Sequence, residues 1–373
     1  MLAHSFVHPS IHSFIHSFIH SFIHSFIHSF IHSLMLAHSF VPTQFPFGTI
    51  TPIIKDKNGK KSDISNYRGI TSNSILYYTI SAMPSKVFEH VLKTEFSEHL
   101  NTSSYQHGFK SNSSTTHALF SLKETINYYI DHGSRVFCSF LDASKTFDRL
   151  VHSGLFLKLM ERGIPKRFLD ILIQWYQDLR WRVKWDGHHG DWFAISAGVR
   201  QGGVLSPDFY NIYVDGLISI LQSSGIGCHV RNIFAAVLLY ADDVCILSPS
   251  LKGLQRLLDI CSSFCTEWDI CLNPKKSKNM FFGKPSRINF HPTLNGALIH
   301  FVSEWKYLGV VLKSGPRFGC SVSEVRTRQV VLQKSQRHPA CWRPVWWSGA
   351  APSDRSSLHP HTFVRHWNDC CCQ

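Results

Sequence analysis

The sequence predicts an α+β fold, because segments with helical periodicity alternate with short apolar runs typical of strands. Helical periodicity is found at Ser85–Leu100, Ser114–Tyr129, Lys166–Leu179 and Leu251–Trp268. Strands are predicted at Arg135–Leu141, Trp181–Trp185, Trp192–Ala197, Phe234–Tyr240 and Val244–Leu247. Asp186-Gly187 is typical of a turn that joins antiparallel strands, so we expect antiparallel hairpins with packed helices rather than a doubly wound parallel sheet.

Residues 1–48 precede this fold and have low complexity. The tetrapeptide Ile-His-Ser-Phe recurs from Ile11 to His32, and the sequence of Met1–Val7 reappears at Met35–Val41. A four-residue repeat drifts by about 40° per copy around a helix of about 3.6 residues per turn, so no stable apolar face builds up. We expect a disordered segment that derives from a translated microsatellite; a metal-binding His ladder is the alternative.

The C-terminal segment, residues 313–373, has the periodicity of neither helices nor strands. Its tryptophans are scattered among Pro, Ser, Arg and His, at Trp342, Trp346, Trp347 and Trp367. This pattern favours a frameshifted or intron-derived, disordered tail over a basic–aromatic binding arm.

Composition limits the class of protein. Of the 373 residues, 44% are hydrophobic, which is enough for a core, and the formal net charge of +13 favours a polyanionic partner such as nucleic acid. The 11 cysteines lack the spacing of a structural zinc site. No signal peptide or transmembrane segment is recognisable, so we expect no membrane partner, reduced thiols and an intracellular location in the cytoplasm or nucleus.

Two acidic sites carry the predicted chemistry. Tyr240-Ala241-Asp242-Asp243 lies between apolar, strand-forming residues, which places two adjacent carboxylates at the tip of a hairpin. Such a pair is costly unless a cation neutralises it, and Mg²⁺ prefers hard oxygen ligands. Asp142 ends the predicted strand Arg135–Leu141 and would supply the remaining ligand of a two-metal phosphoryl-transfer site. An Asp-Asp turn without metal and a helix-capping Asp142 are the alternatives.

The order of motifs along the chain resembles that of reverse transcriptases of LINE-type (non-LTR) retrotransposons. The series is FLDASKTFD, GVRQGGVLSPDFYNIYVDGL, YADD, LNPKKSK and EWKYLGV, preceded by TPIIKDKNGKKSDISNYRGI and YQHGFKSNSSTTHAL. The resemblance covers about residues 49–312. It implies a right-hand polymerase core with fingers at 49–133 and a palm at 134–312. We expect no endonuclease domain before the fingers and no thumb helices after Leu312.

The resemblance also implies a function and its ligands. The expected reaction is RNA-directed DNA synthesis, with an RNA template, a DNA primer, deoxynucleoside triphosphates and two Mg²⁺ ions, for which Mn²⁺ is a substitute. Asp142 and Asp242 match the metal-binding aspartates, and Asp243 is a supporting neighbour. Lys276 matches a lysine that could protonate the departing pyrophosphate, although Lys275 and Lys278 are close by.

Substrate-binding residues are assigned on the same resemblance. Phe147 matches the bulky side chain that lies under the incoming sugar and excludes a ribose 2′-hydroxyl; ordinary packing is its alternative. Gln201 and Gly202 match a loop that lines the nucleotide and template site. Lys55 and Arg68 lie where the family's fingers bind the triphosphate, and surface charges are the alternative.

Two further features of the resemblance leave alternatives open. Tyr307-Leu308-Gly309 resembles a primer-grip hairpin but also fits a strand with a glycine bulge. The sequence departs from the family pattern at Gly69, Thr146, Asp208 and Gly216. None of these departures removes a predicted metal ligand. The alternative functions are an RNA-templated RNA polymerase, which Phe147 disfavours, and a non-catalytic nucleic-acid-binding remnant of a decayed element.

Overall fold

The computed structural model describes residues 38–321 except 44, 63–65, 73–82, 145 and 285–289. Predictions for residues 1–37 and for the tail from 322 onward lie outside the described residues. The described chain forms two compact units, and each unit is built from two separate stretches of the sequence. The first unit contains the residues up to Asn101 and Phe147–Tyr213; the second contains Thr102–Thr146 and the residues from Val214 onward. The predicted division between fingers and palm at 133/134 does not coincide with the boundaries of these units and stays a prediction.

The described helices are α1 (Met83–Glu95), α2 (Thr115–Asp131), α3 (Thr146–Arg149), α4 (His152–Glu161), α5 (Lys166–Gln177), α6 (Ser206–Ser223) and α7 (Leu251–Glu267). Of these, α1, α2, α5 and α7 lie close to the predicted helices, whereas α3, α4 and α6 were not predicted. The predicted helix Ser85–Leu100 is α1 followed by a separate 3-10 turn at Ser97–Leu100. At the start of α7 the Ser250 side chain accepts a hydrogen bond from the Gly253 amide (3.1 Å), which satisfies one of the unpaired amides of a helix N-terminus.

The strands are short. They are β1 (Phe47–Ile54), β2 (Tyr67–Ser72), β3 (Val136–Ser144), β4 (Arg180–Trp185), β5 (His188–His189), β6 (Phe193–Ala194), β7 (His229–Val230), β8 (Ile233–Phe234), β9 (Val237–Tyr240), β10 (Asp243–Ser248), β11 (Cys271–Leu272), β12 (Lys278–Phe282), β13 (Thr293–Leu294), β14 (Ala297–Leu298), β15 (Glu304–Tyr307), β16 (Val310–Lys313) and β17 (Gly319–Ser321). The predicted strand Phe234–Tyr240 is interrupted, because β8 pairs with β7 whereas β9 pairs with β10.

The sheet of the first unit has the strand order β2-β1-β4-β5, and β6 also pairs with β4. Strand β1 is antiparallel to β2 but parallel to β4, with Phe47 opposite Arg180. The sequence did not predict this parallel pair. Parallel neighbouring strands need a long crossover connection, and the helices between β1 and β4 in the sequence supply one.

The predicted turn at Asp186-Gly187 is confirmed. Both residues have positive φ (45° and 81°), as the two central residues of a type I′ turn require. The turn brings Trp185 opposite His188. The returning chain is less regular than the predicted strand Trp192–Ala197, because it pairs with β4 as two short pieces, β5 and β6.

The ordered structure begins before the predicted boundary at residue 49. Val41 and Phe45 are buried. The Phe45 ring lies 5.6 Å from that of Phe88 and 5.7 Å from that of Trp175, and the latter two rings are 5.4 Å apart. Val41 and Phe45 therefore belong to the core of the first unit, although they lie in the segment 1–48 that was expected to be disordered.

The second unit is built around β3. The strand order is β11-β3-β10-β9, with β12 also paired to β3, and every pair is antiparallel, as predicted. Helix α2 contributes Leu119, Leu122 and Ile126 to the same core cluster as the strands. Cys138, Cys228 and Cys245 are buried free thiols in this cluster, and burial raises the pKa of each. Over the described ranges, no helix has both the length and the apolar character needed to cross a membrane.

Candidate active site

A tight hairpin of the second unit carries Asp242 and Asp243. Tyr240 and Asp243 are opposite each other on β9 and β10, so Ala241 and Asp242 form a two-residue turn. Ala241 has a φ of 56°, a left-handed conformation that is uncommon for a residue with a side chain. The turn therefore places Asp242 at the tip of the hairpin and Asp243 at the first position of β10.

Asp142 lies beside this hairpin. Strands β3 and β10 are antiparallel, and Asp142 is directly opposite Asp243. Directly opposed residues have Cβ atoms about 4.5–5.5 Å apart, so the two side chains are neighbours on one face. Strand β3 does not end at Asp142 as predicted; it continues to Ser144 because β11 pairs with Ala143 and Ser144. The sheet thus brings together the three aspartates that the sequence singled out.

The carboxylates are close enough to affect one another. The pKa of Asp243 is raised to about 6, first by partial removal from water and then by the negative charges of Asp242 and Asp142. A divalent cation would relieve this repulsion, and three carboxylates offer the hard oxygen ligands that Mg²⁺ prefers. Among the described residues no three His, Cys, Asp or Glu side chains are already arranged around one point.

Lys276 is held next to Asp142 by a turn after β11. The Asn273 amide donates to the Asp142 carbonyl (2.9 Å), and the Asn273 side-chain oxygen accepts from the Lys276 amide (3.3 Å). The Asp142 amide in turn donates to Ser277 Oγ (3.2 Å). This arrangement places Lys276 Nζ 3.9 Å from Asp142 Oδ2, while Lys278 Nζ donates to the main chain at 2.9 Å. Lys276 therefore lies beside Asp142, and its role as a proton donor stays a prediction.

Gln106 and Gly108 support the turn of the hairpin, and the sequence reasoning did not assign them this role. Gln106 Oε1 accepts from the Ala241 amide (3.1 Å) and the Gly108 amide (2.9 Å). The His107 amide donates to the Leu239 carbonyl at 2.7 Å. A Cβ on Gly108 would lie 2.2 Å from the Ala241 nitrogen. The signal in the motif YQHGF was its glycine, since a glycine within a motif suggests a close backbone approach.

Gly108→Ala is expected to destabilise the second unit, because the new methyl group overlaps backbone atoms of the turn rather than a movable side chain. Overpacking of this kind costs about 1–3 kcal/mol. The matched control is Gly315→Ala, where an added Cβ meets nothing nearer than the Arg317 carbonyl at 3.7 Å. The free energy of unfolding should be measured by urea denaturation. Equal effects of the two substitutions would show that Gly108 does not fit closely against the hairpin.

Phe147 lies in the first unit at the start of α3. Its ring is half-buried and stacks on Tyr210, with centroids 5.0 Å apart and planes 19° apart. The Val199 amide donates to the Phe147 carbonyl (2.7 Å), and a Cβ on Gly198 would lie 2.9 Å from that oxygen. The Phe147 ring therefore packs on Tyr210 while its backbone is held by residues 198–199, and the residue is only partly buried.

The loop that contains Gln201 and Gly202 begins directly after Val199 in the chain. Gln201 Nε2 donates to Asp148 Oδ1 (2.8 Å), which links this loop to α3. Gly202 is exposed and has a φ of 101°, which only glycine adopts without strain. The structure thus brings Gln201 close to the segment of Phe147, within the first unit.

A buried ion pair that the sequence did not reveal holds this loop. Glu89 of α1 accepts from the Arg200 guanidinium and from the Val204 amide, and both ionic side chains are less than a tenth exposed. The guanidinium carbon also lies 4.5 Å from the centre of the Trp175 ring. A glutamate at an apolar position of a helix is the one sequence signal for such a pair.

Lys55 and Arg68 lie in the β1–β2 hairpin of the first unit. Arg68 is opposite Ile53, and the Lys55 amide donates to the Asn66 carbonyl at 2.8 Å. Lys55 is exposed. Lys55 directly follows β1 and Arg68 lies in β2, so the two backbone positions are near neighbours in this hairpin, and their assignment to a phosphate site stays a prediction.

Tyr307-Leu308-Gly309 forms a hairpin turn between β15 and β16 in the second unit. Leu308 and Gly309 both have positive φ (47° and 81°). The Tyr307 ring is buried 4.8 Å from Phe140, and its hydroxyl has no hydrogen-bond partner within the described part of the chain. The segment is thus a hairpin rather than a bulged strand, with Tyr307 packed in the core, and its role as a primer grip stays a prediction.

Known proteins share both the sequence pattern and the fold. Residues 55–312 match a family described as "Reverse transcriptase (RNA-dependent DNA polymerase)". The polyprotein of the type-2 element R2DM of Drosophila melanogaster is 27% identical over 271 residues, which are 69% of this chain and 24% of that protein. The RNA-directed DNA polymerase of the mobile element jockey of Drosophila funebris is 31% identical over 179 residues, 46% of this chain and 19% of that protein.

The fold comparison agrees with the sequence comparison. An apo telomerase from Candida tropicalis, truncated from its C-terminal domain, superposes with a TM-score of 0.52 at 15% identity. The match covers 81% of this chain and 60% of the telomerase. The likeness shows a shared fold and confirms the predicted α+β fingers-and-palm class. The chain spans about a quarter or less of the length of the two retrotransposon relatives.

Proposed function

Since this chain belongs to the reverse transcriptase family, we propose that it copies an RNA template into DNA as the polymerase core of a LINE-type retrotransposon. The observation that carries the proposal is the pairing of Asp142 with Asp243 next to Asp242 in the hairpin turn. Three oxygen-donor side chains gathered on adjacent strands suit metal-assisted phosphoryl transfer. Its RNA and nucleotide substrates occur in the cytoplasm and nucleus, and we infer that it works there.

The aspartates would act as metal ligands. Asp142 and Asp242 would hold two Mg²⁺ ions, for which Mn²⁺ could substitute, with Asp243 in support. Such ions, when bound, activate a primer 3′-hydroxyl and neutralise the triphosphate. In the reaction the 3′-oxygen attacks the α-phosphorus and the bond to the pyrophosphate breaks. Lys276, 3.9 Å from Asp142, would donate a proton to the leaving pyrophosphate.

The first unit would supply contacts to the nucleotide. Lys55 and Arg68, neighbours in the β1–β2 hairpin, would bind the triphosphate. Gln201 would hydrogen-bond to substrate or template, and Gly202 would allow close approach of the backbone. The Phe147 ring would lie under the sugar. A 2′-hydroxyl would overlap that ring, which favours deoxynucleotides over ribonucleotides.

The test of this proposal is sugar selection. Phe147→Val should raise ribonucleotide incorporation relative to deoxynucleotide incorporation by about ten- to a hundredfold, because relief of steric overlap is worth about 1–3 kcal/mol. The measurement is single-nucleotide primer extension on an RNA template with paired titrations of both nucleotides.

Phe147→Tyr is the matched control, since it keeps a ring stacked on Tyr210 and should keep the preference for deoxynucleotides. If the wild-type protein used ribonucleotides equally well, the RNA polymerase alternative would be favoured. If it extended no primer at all, the catalytic proposal would be wrong and the remnant alternative would gain support. An unchanged ratio in Phe147→Val would reduce Phe147 to a packing residue.

A further inference from the structure

One face of the first unit's sheet carries a row of cations. Residues at alternate positions of a strand point to the same face, and on β4 these are Arg180, Arg182 and Lys184. Arg180 and Lys184 are exposed and Arg182 is half-buried. Lys184 is opposite His189 on β5. The row has no acidic member, so this face favours a negatively charged partner.

Trp192 lies in the middle of this row. In the register that pairs Arg180 with Ala194 and Trp181 with Phe193, Trp192 falls opposite Arg182. The Arg182 guanidinium carbon is 4.5 Å from the centre of the indole ring. The Phe47 ring meets the indole edge-on, at 5.1 Å and 86°. The indole is thus held in place by two contacts.

The held indole remains accessible. Trp192 is 41% exposed even though its indole contacts both Arg182 and Phe47. A guanidinium against a tryptophan ring is an attractive contact that persists in solution and restricts the rotation of both side chains. Arg180 and Lys184, both exposed, flank Arg182 and its indole contact on the same face of β4.

We propose that this face, defined by Arg180, Arg182, Lys184 and Trp192, binds single-stranded nucleic acid. A base would stack on the accessible part of the indole, and the flanking phosphates would contact Arg180 and Lys184. Aromatic stacking with adjacent cations is how proteins hold unpaired strands without reading their sequence. The proposal deepens the proposed function, because a polymerase that copies RNA must hold an unpaired template.

The same hairpin supplies a matched control. Trp185 is the last residue of β4, is 54% exposed, and lies on the opposite face of the strand. Its ring meets Tyr67 edge-on at 5.2 Å. Trp185→Ala therefore removes a somewhat more accessible tryptophan of the same hairpin without touching the cation row.

The experiment is fluorescence anisotropy with the full chain and a labelled 12-nucleotide single-stranded RNA, in EDTA so that metal-dependent catalysis plays no part. Trp192→Ala should weaken binding about tenfold or more, the usual effect of losing one stacked base. Trp192→Phe, which keeps a ring, should recover most of the affinity. Trp185→Ala should stay within about twofold of wild type. Arg180→Gln and Lys184→Gln should each lower the slope of log affinity against log salt by about 0.7.

Several outcomes would overturn the proposal. One is an equal loss in Trp192→Ala and Trp185→Ala, and another is no loss in Trp192→Ala. A third is equal competition by a duplex RNA of the same sequence, since paired bases cannot stack on the ring. Thermal melting checks that each variant is folded, and Trp192→Phe decides the matter if Trp192→Ala unfolds. Primer extension and RNA binding by Asp242→Asn separate this face from the proposed metal site. Loss of extension with intact binding in Asp242→Asn would support the proposed function and leave this face untouched. Normal extension by the wild-type protein together with unchanged RNA binding in Trp192→Ala would contradict the proposal for this face alone.

Discussion

Asp142→Asn and Asp242→Asn are each expected to lower primer extension on an RNA template by at least about a hundredfold. Each substitution removes one negative charge from the predicted ligand set while keeping the size of the side chain. Loss of one strong catalytic contact costs several kcal/mol, and about 1.4 kcal/mol corresponds to tenfold in rate. Binding of RNA should be nearly unchanged, because neither aspartate is a cation that contacts phosphate.

The control for charge alone is Asp131→Asn, at the exposed end of α2, which should leave the rate within about twofold of wild type. Asp243→Asn should lower the rate less than the other two, since Asp243 is assigned a supporting role. Rates should be measured at several Mg²⁺ concentrations together with RNA affinity. Retention of more than about a tenth of the wild-type rate by Asp142→Asn or Asp242→Asn would contradict the two-metal assignment.

Glu89→Ala is expected to lower the free energy of unfolding by about 3–5 kcal/mol. The substitution leaves the Arg200 guanidinium buried without its carboxylate, and removal of one partner of a buried pair costs this much. It also removes the acceptor of the Val204 amide, so the loop with Gln201 and Gly202 loses its anchor. Urea denaturation gives the stability, and the Michaelis constant for nucleotide should rise in parallel.

Glu95→Ala on the same helix is the matched control. Glu95 lies 3.7 Å from Arg167, and both side chains are at least a third exposed, so this pair contributes about 1 kcal/mol at most. A second variant, Glu89→Leu with Arg200→Met, removes both charges and should recover much of the lost stability. If Glu89→Ala and Glu95→Ala had similar effects, the buried pair would not be what holds the loop.

The grouping of the three candidate aspartates could be predicted because its signals are local. Asp242 and Asp243 stand between apolar strand residues, and Asp142 follows an apolar strand, so the residue pattern itself indicated an acidic hairpin tip and an acidic strand end. The turn at Asp186-Gly187, which the structure confirms, was predictable for the same reason, since a turn with two residues of positive φ favours those residue types. The starts of α2, α5 and α7 lie within one residue of their predicted positions.

What the sequence did not predict depends on partners that are distant in the chain. Nothing near Glu89 indicates that Arg200 will neutralise it, and the parallel pairing of β1 with β4 depends on how the intervening helices pack. Phe45 follows a low-complexity repeat, yet it is buried against Phe88 and Trp175. Gln106 belonged to a recognised motif, but its two hydrogen bonds to Ala241 follow from a close backbone approach that only three-dimensional structure displays.

The central position of β3 also affects how the protein is made. Both of its edges are covered by strands that leave the ribosome later, β10 on one side and β11 and β12 on the other. At about 5–20 residues per second, the roughly 100 residues between β3 and β10 take about 5–20 s to synthesise. During that time the nascent chain exposes an apolar strand, VFCSFLDAS, with two unpaired edges. Asp142 is its only charged residue, and a charge within such a strand discourages pairing between molecules. We therefore expect Asp142 to protect the growing polypeptide from aggregation before the active site has formed.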